Sequence, residues 1–222
     1  VKREFLTTGD GSVTIHLPEW DEQYHSKHGA IAEAKHVFIQ TGLHYFFSET
    51  ERNQISILEI GFGTGLNALL TQQEALKNAW QIDYTGVEAY PISAAEVEQL
   101  NYTSELQITS KLLTKMHTVA WEEKVQLSPF FHLRKRKQFF SEISEENTYN
   151  LIYFDAFGAR VQPELWTEAV FLRMYAALKQ GGVLVTYAAK GSVRRAMQAV
   201  GFKVERLPGP PGKREMLRAT KS

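Results

Sequence analysis

The chain has 222 residues, 43% of them hydrophobic and 23% charged, an ordinary composition for one globular α/β domain with a small addition. It contains no cysteine, which excludes disulfides, thiolate metal sites, iron–sulfur clusters and cysteine nucleophiles, and no run approaches the ~18 apolar residues of a membrane helix. Its 25 basic and 25 acidic residues cancel overall but not locally: residues 1–110 hold 6 basic and 15 acidic residues and residues 111–222 hold 19 and 10, a polarity that makes a nucleic-acid partner plausible.

The N-terminal VKREFLTTGDGS has no apolar stretch of the kind a secretory leader carries, so a cytoplasmic location with no membrane partner is expected. TTGDGSVTIHL alternates after an Asp-Gly turn and predicts a hairpin. GAIAEAKHVFIQTGLHYFF has helical spacing, and together these form an appendage over residues 1–45. From residue 46 a second unit, 46–222, alternates strand and helix. ISILEI is a strand, LNALLTQQEALKNA a helix, IDYTGVE a strand, and PISAAEVEQLN a helix with Pro91 in its first turn. Residues 103–145 hold one or two helices and a strand within VQLSPFFHLRKRK. YNLIYFDAF is a strand, PELWTEAVFLRMYAAL a Pro-started helix, GGVLVTYAA a strand and SVRRAMQAV a short helix. FKVERLPGPPGKREMLRATK reads as two final strands joined by a Pro/Gly loop. The pattern predicts parallel strands with right-handed crossovers.

Gly61, Gly63 and Gly65 form G-x-G-x-G between the first strand of this unit and its helix. Such a turn lets backbone N–H groups approach a ligand. The dinucleotide fingerprint needs its third glycine at position 66, which is Leu. Glu59, two residues ahead, would repel a pyrophosphate but suits a cationic ammonium group. S-adenosylmethionine has an ammonium and no phosphate. Phe62 and Asn67, in the turn and at the start of its helix, complete the candidate cofactor-binding stretch.

Glu88 ends the next strand, about 20 residues on, where a carboxylate can accept both ribose hydroxyls. Asp83 is its competitor but lies near the strand's start. Asp155 follows the apolar LIYF at the end of a later strand, a setting in which an acid is seldom a mere solvated charge. Tyr153, Phe154 and Phe157 are placed to wall a pocket for a flat base, whereas Trp166 and Phe171 face the core. Three acids at three strand ends, with the glycine turn, predict a class I, Rossmann-like S-adenosylmethionine-dependent methyltransferase. The expected sheet is seven-stranded and mostly parallel, with an antiparallel C-terminal hairpin.

Without cysteine, C5 methylation of a pyrimidine through a thiolate adduct is closed. A nitrogen acceptor needs only an oriented lone pair, a proton acceptor and exclusion of water. Asp155 is the candidate for hydrogen bonding to the amine and accepting its proton. A small-molecule amine methyltransferase of the polyamine type shares this cofactor site. A non-catalytic RNA-binding protein of the same fold is a third reading, opposed by the intact Glu59, Glu88 and Asp155.

Four blocks, YHSKHGAIAEAKHVFI (24–39), LEIGFGTGLNALL (58–70), FDAFGARVQPELWT (154–167) and GSVRRAMQAVGFKVERLPGPPGKREMLRA (191–219), resemble the methyltransferase module of the MnmC family of tRNA 5-methylaminomethyl-2-thiouridine biosynthesis proteins. The flavin-dependent oxidoreductase half of the bifunctional members has no counterpart in these residues, so the resemblance is to the stand-alone, MnmD-like form, without flavin. It implies methyl transfer from S-adenosylmethionine to the exocyclic amine of 5-aminomethyl-2-thiouridine at the wobble position of the tRNA anticodon stem-loop. It also implies a separate enzyme that supplies the aminomethyl intermediate, and a functional aspartate at Asp155. The sequence departs from the family's D-x-F-x-P pattern at Ala159.

Within the first block Tyr24, Ser26, Gly29, Ala30 and Glu33 match the family pattern. Ser26 and Glu33 are expected to cover the methionine end of the cofactor. His25, His28 and His36 have no zinc-site spacing, so no metal is expected. The candidate tRNA contacts are RKRK (134–137), Lys190, Arg194, Arg195, Lys203 and Arg206, with Lys213 and Arg214 ranked first because PGPPGKREML looks like a shaped loop at the pocket rim. Phe157 and Tyr187 are candidates to stack on a flipped base.

Overall fold

Strand β1 (Glu4–Thr7) pairs antiparallel with β2 (Val13–Leu17), and β2 with the short β3 (Glu22–Gln23). This three-stranded N-terminal sheet includes the hairpin expected at the Asp-Gly turn. The computed structural model describes residues 2–222. The predicted helix follows as three continuous segments, Ala30–Ala34, a π-helical Lys35–His44, and Tyr45–Ser48. It runs across residue 45 without a break, and its Val37, Phe38 and Leu43 are buried in the main core. The loop of the hairpin caps it: Thr8 Oγ1 accepts from Ala30 N and Asp10 Oδ2 from Ala32 N, supplying partners to first-turn donors that have none within the helix.

The main sheet has eight strands in the order β10-β11-β9-β8-β4-β5-β7-β6. They are β4 (Gln54–Ile60), β5 (Gln81–Val87), β6 (Lys124–Ser128), β7 (Phe131–Arg136), β8 (Tyr149–Phe154), β9 (Leu178–Thr186), β10 (Phe202–Pro208) and β11 (Glu215–Lys221). β9, β8, β4, β5 and β7 are parallel. β10 and β11 form the antiparallel C-terminal hairpin. The eighth strand corrects the expected seven: Pro129 and Phe130 break VQLSPFFHLRKRK into two antiparallel strands, and β6 becomes the edge.

Two helix starts also differ from expectation. Pro91 precedes the Ala94–Val97 helix rather than opening it, because Ser93 and Glu96 form a reciprocal capping box. Pro163 starts only a 3-10 turn, Pro163–Trp166; Thr167 then caps a separate helix, Glu168–Ala177.

Alternation along β4 explains the two cores. Ile55 and Ile57 face the Leu66–Asn78 helix and the N-terminal helix. Leu58 and Ile60 face the Glu168–Ala177 and Gly191–Ala199 helices. Each such fully buried side chain contributes about 1.5–3 kcal/mol. Glu59 falls on the Ile55/Ile57 face, pointing an acid toward the helix that follows the glycine turn. The chain leaves β4 for β5 on one side and later lays β8 on the other, so the crevice above β4 is a topological switch point. Among the described residues no helix is long and apolar enough to cross a membrane.

Candidate active site

A cavity of about 940 Å³ lies at the carboxyl ends of β4, β5 and β8, walled on another side by the N-terminal sheet. Its size is that of a small-molecule site. Glu59, Gly61, Phe62, Gly63, Asn67, Glu88, Asp155, Phe157 and Tyr187 line it, as do Ser26, Glu33 and Lys213.

The turn after β4 is built for close approach. Gly61 has φ +91°, and a Cβ there would lie 2.6 Å from the carbonyl oxygen of Asp155. Gly63 has φ +50°, and its Cβ would press on Tyr24 at 3.2 Å. Gly65 does a different job from the one expected. It is the left-handed residue that starts the Leu66–Asn78 helix, packs on Met116, and does not line the cavity. Phe62 folds its ring over Gly86, where a Cβ would lie 2.3 Å from the ring.

The three acids are coupled. Glu59 is 1% exposed, and its Oε1 accepts from Asn67 Nδ2 at 2.9 Å. The same amide donates to Asp155 Oδ2 at 2.9 Å, so Asn67 bridges two carboxylates rather than offering its amide N–H groups to a ligand. Glu59 Oε2 is buried without a partner. Burial pushes the Glu59 pKa well above the usual carboxylate range against the nearby Tyr84 hydroxyl and the Asn67 amide, and the neighbouring Asp155 and Glu88 reinforce the shift. A cationic donor at Oε2 would reverse that penalty, and the ammonium group of an amino acid fits. Asp155 follows β8 directly and its N–H donates to Ile60 O. Burial, with the negative Glu33 nearby, pushes its pKa up to about 7, against the Asn67 bond and the positive Lys213. Glu88 accepts from Gly63 N at 3.0 Å and from Tyr90 N at 2.9 Å, which fixes the glycine turn to the end of β5. Asp83 lies elsewhere, paired with Lys124 at 2.6 Å.

Glu33 and Lys213 join the N-terminal helix to the loop between β10 and β11. Glu33 Oε2 accepts from Ser26 N at 2.7 Å, and its Oε1 is hydrogen-bonded to Lys213 Nζ. The Lys213 ammonium sits 3.9 Å from the Tyr187 ring centroid, and Tyr187 Oη donates to Ala156 O. Lys213 is therefore committed inside the cavity, while Arg214 is exposed and outside it. The pair does not act as one rim patch. RKRK is split: residues 134–136 lie on β7, whose alternation buries Lys135 at 1% exposure over the Trp121 ring, Arg136 pairs with Glu145, and Arg134 and Lys137 are exposed. Arg206 lies 3.8 Å from Glu215. Lys190, Arg195 and Lys203 are exposed.

Tyr153 and Phe154 do not wall the pocket. Both are fully buried, Tyr153 against Phe38 and Phe154 against Trp166 and Phe171. The aromatic wall is Phe157 with Tyr24 at 5.0 Å and Trp20 at 5.9 Å, both edge-on. Beyond Glu88 stand Tyr90 and Phe139, 63% and 54% exposed, edge-on to each other at 6.0 Å. Sequence reasoning missed Trp20, Tyr90 and Phe139. For Tyr90 the signal was an aromatic two residues past the Glu88 strand end. The histidines are each used separately: His25 on Thr14, His28 against Gly212, His36 on Pro208 O. Among the described residues no three acidic, histidine or cysteine side chains converge to hold a metal.

The chain is 30% identical, over 96% of its length, to the "tRNA 5-methylaminomethyl-2-thiouridine biosynthesis bifunctional protein MnmC" of Leptospira interrogans, and 31% identical over 90% to that of Cupriavidus necator. It spans about a third of the length of these relatives (34% and 32%). Among solved structures it resembles MnmC2 from Aquifex aeolicus, with a TM-score of 0.81 and 25% identity, covering 100% of this chain and 70% of that one. Spermidine synthase from Thermotoga maritima shares the fold, with a TM-score of 0.59 at 16% identity, covering 99% of this chain and 69% of that one. The family model described as "S-adenosyl-L-methionine-dependent methyltransferase" matches residues 96–222, more than half of the sequence. The chain belongs to this family of S-adenosyl-L-methionine-dependent methyltransferases.

Proposed function

We propose that the protein transfers a methyl group from S-adenosylmethionine to the exocyclic amine of 5-aminomethyl-2-thiouridine at the tRNA wobble position. The observation that carries this reading is Asp155: a half-buried carboxylate at the end of β8, held by Asn67 and set beside an aromatic wall that suits a flat base. The names of the relatives support the choice of acceptor.

S-adenosylmethionine supplies an electrophilic methyl group when bound. Glu59 Oε2 is the site for its ammonium group and Glu88 for its ribose hydroxyls. Gly61 and Gly63 pack the backbone of the turn against Asp155 O and Tyr24 at the cavity wall, and Tyr90 and Phe139 offer faces to the adenine. Trp20, Tyr24, Phe157 and Tyr187 take the extruded base and keep water out. In the transfer the nitrogen–carbon bond forms as the sulfur–carbon bond breaks, and one N–H proton leaves the amine. Asp155 orients that amine and accepts the proton. A carboxylate pushed up to about 7 is matched to this task near neutral pH. Phosphate contacts fall to exposed cations such as Lys190, Arg195, Lys203 and Arg214. A separate enzyme supplies the aminomethyl group.

The test is transfer from methyl-labelled S-adenosylmethionine to tRNA with and without the aminomethyl modification. Label only on modified tRNA supports the reading. Label on neither tRNA, with label on a polyamine, replaces it with a small-molecule amine methyltransferase.

A further inference from the structure

The N-terminal sheet walls the cavity and is held to the main domain at several points: Asn101 accepts from Val13 N and donates to Gly11 O, and two arginines act one on each side of β4. Arg3 reaches the segment after β5. Its Nη1 donates to both carboxylate oxygens of Glu96, at 3.2 and 3.1 Å, and its Nη2 to Tyr90 O at 2.8 Å. Glu96 in turn accepts from Ser93 N, and Tyr90 N donates to Glu88. Arg3 therefore fixes the backbone that presents Glu88 and Tyr90. Arg160, five residues past Asp155, reaches in the opposite direction. Its Nη2 donates to Asp21 O at 2.6 Å, to Trp20 O at 3.2 Å and to Glu22 Oε2 at 3.2 Å. It pins the turn, with Asp21 at φ +47°, that sets Trp20 edge-on to Phe157.

We propose that Arg3 and Arg160 are separate positioning residues, Arg3 for S-adenosylmethionine and Arg160 for the acceptor nucleoside. The assignment of the two ends rests on the function proposed above. Arg3 lines the cavity and lies near Tyr24, the neighbour of Gly63, and it acts through Glu88 and Tyr90; Arg160 acts through Trp20 and Phe157. If the arginines only held the sheet in place, losing either would loosen the whole wall and weaken both ligands together. Two local clamps weaken one ligand each.

The experiment uses the full chain with Arg3→Ala, Arg3→Lys, Arg160→Ala and Arg160→Lys. Calorimetric titration with S-adenosylhomocysteine gives the cofactor-side Kd. Initial rates on tRNA carrying 5-aminomethyluridine give KM for both substrates. Loss of hydrogen bonds from a charged donor predicts about a tenfold rise in the Kd and in KM for S-adenosylmethionine with Arg3→Ala, and KM for tRNA within about twofold of wild type. Arg160→Ala gives the mirror image, a rise of about fivefold or more in KM for tRNA with the Kd unchanged. The lysine variants fall between, because lysine keeps the positive charge and loses the planar fork. They carry the same comparison if the alanine variants do not fold. Parallel rises in both constants with either variant, or no rise in either, overturn the proposal. A wild-type protein that binds S-adenosylhomocysteine but leaves the tRNA unmethylated overturns the functional reading and the Arg160 assignment, while the titration still decides Arg3.

Discussion

Asp155→Asn should abolish turnover and stabilise the fold, and the second effect depends on pH in a way that can be worked out. The folded-state pKa of Asp155 is about 7, against about 3.9 in an unfolded chain. Ionising this side chain therefore costs folding free energy. Between the two values the folded state binds more protons than the unfolded state, so stability falls as pH rises through that window. At pH 8 the linkage amounts to about 4 kcal/mol, and at pH 5, where folded Asp155 is mostly protonated, to about 1.5 kcal/mol. Asparagine stays neutral, keeps an oxygen to accept the Asn67 amide, and relieves both. Urea unfolding of the two proteins should show the variant more stable at pH 8, with the gain shrinking by about 2.5 kcal/mol on going to pH 5. Turnover at saturating substrates should fall by about 10²–10⁴, with S-adenosylhomocysteine binding retained. A variant less stable than wild type at pH 8, or a gain that does not shrink on acidification, refutes the view that ionising Asp155 costs folding free energy.

The pH profile of kcat/KM should fall more steeply below about pH 7, since Asp155 of the free protein must be ionised to accept a proton; a slope unchanged from pH 6 to 8 speaks against that role. Gly63→Val forces a branched side chain into a position with φ +50° and against Tyr24, and should remove S-adenosylhomocysteine binding in calorimetry; retained affinity shows that this turn does not approach the cofactor. Glu88→Ala should weaken the same binding by about 10- to 100-fold, and an unchanged Kd would reopen the ribose assignment. Lys213→Met leaves Glu33 buried without its cation and should cost about 3–5 kcal/mol in urea unfolding. Adding Glu33→Gln should restore most of that loss; additive losses would mean the two side chains do not act as a pair.

The sequence carried the fold because its periodicities are strong where the sheet is most buried. Ile55–Ile60, Tyr149–Phe154 and Val183–Thr186 are apolar runs that can only be central strands, and the acids at or just past the first two of them mark the crevice. β6 was harder to see, because an edge strand with an exposed face carries little apolar signal and Pro129 reads as a loop. Asp155, Glu59 and Glu88 were legible since each interrupts or ends an apolar strand. Phe154 and Tyr153 misled for the same reason: an aromatic inside a strand gives no sign of which sheet face is capped by helices. Lys135 sat within a basic run, and only the pairing of β7 reveals that it points inward. Trp20, Arg3 and Arg160 were beyond reach, because their roles arise from contacts more than 80 residues apart in sequence (Arg160 to Trp20, Arg3 to Tyr90), which no local pattern encodes.

The central claim concerns the nitrogen that receives the methyl group, and nucleoside mass spectrometry addresses it directly. The protein and S-adenosylmethionine are incubated with tRNA bearing 5-aminomethyl-2-thiouridine, and the digested nucleosides are compared with those of the Asp155→Asn variant. The account predicts conversion of that nucleoside to its 5-methylaminomethyl form, by the wild-type protein and not by the variant. A tRNA whose aminomethyl nucleoside stays unchanged while S-adenosylmethionine is consumed on another acceptor would contradict it.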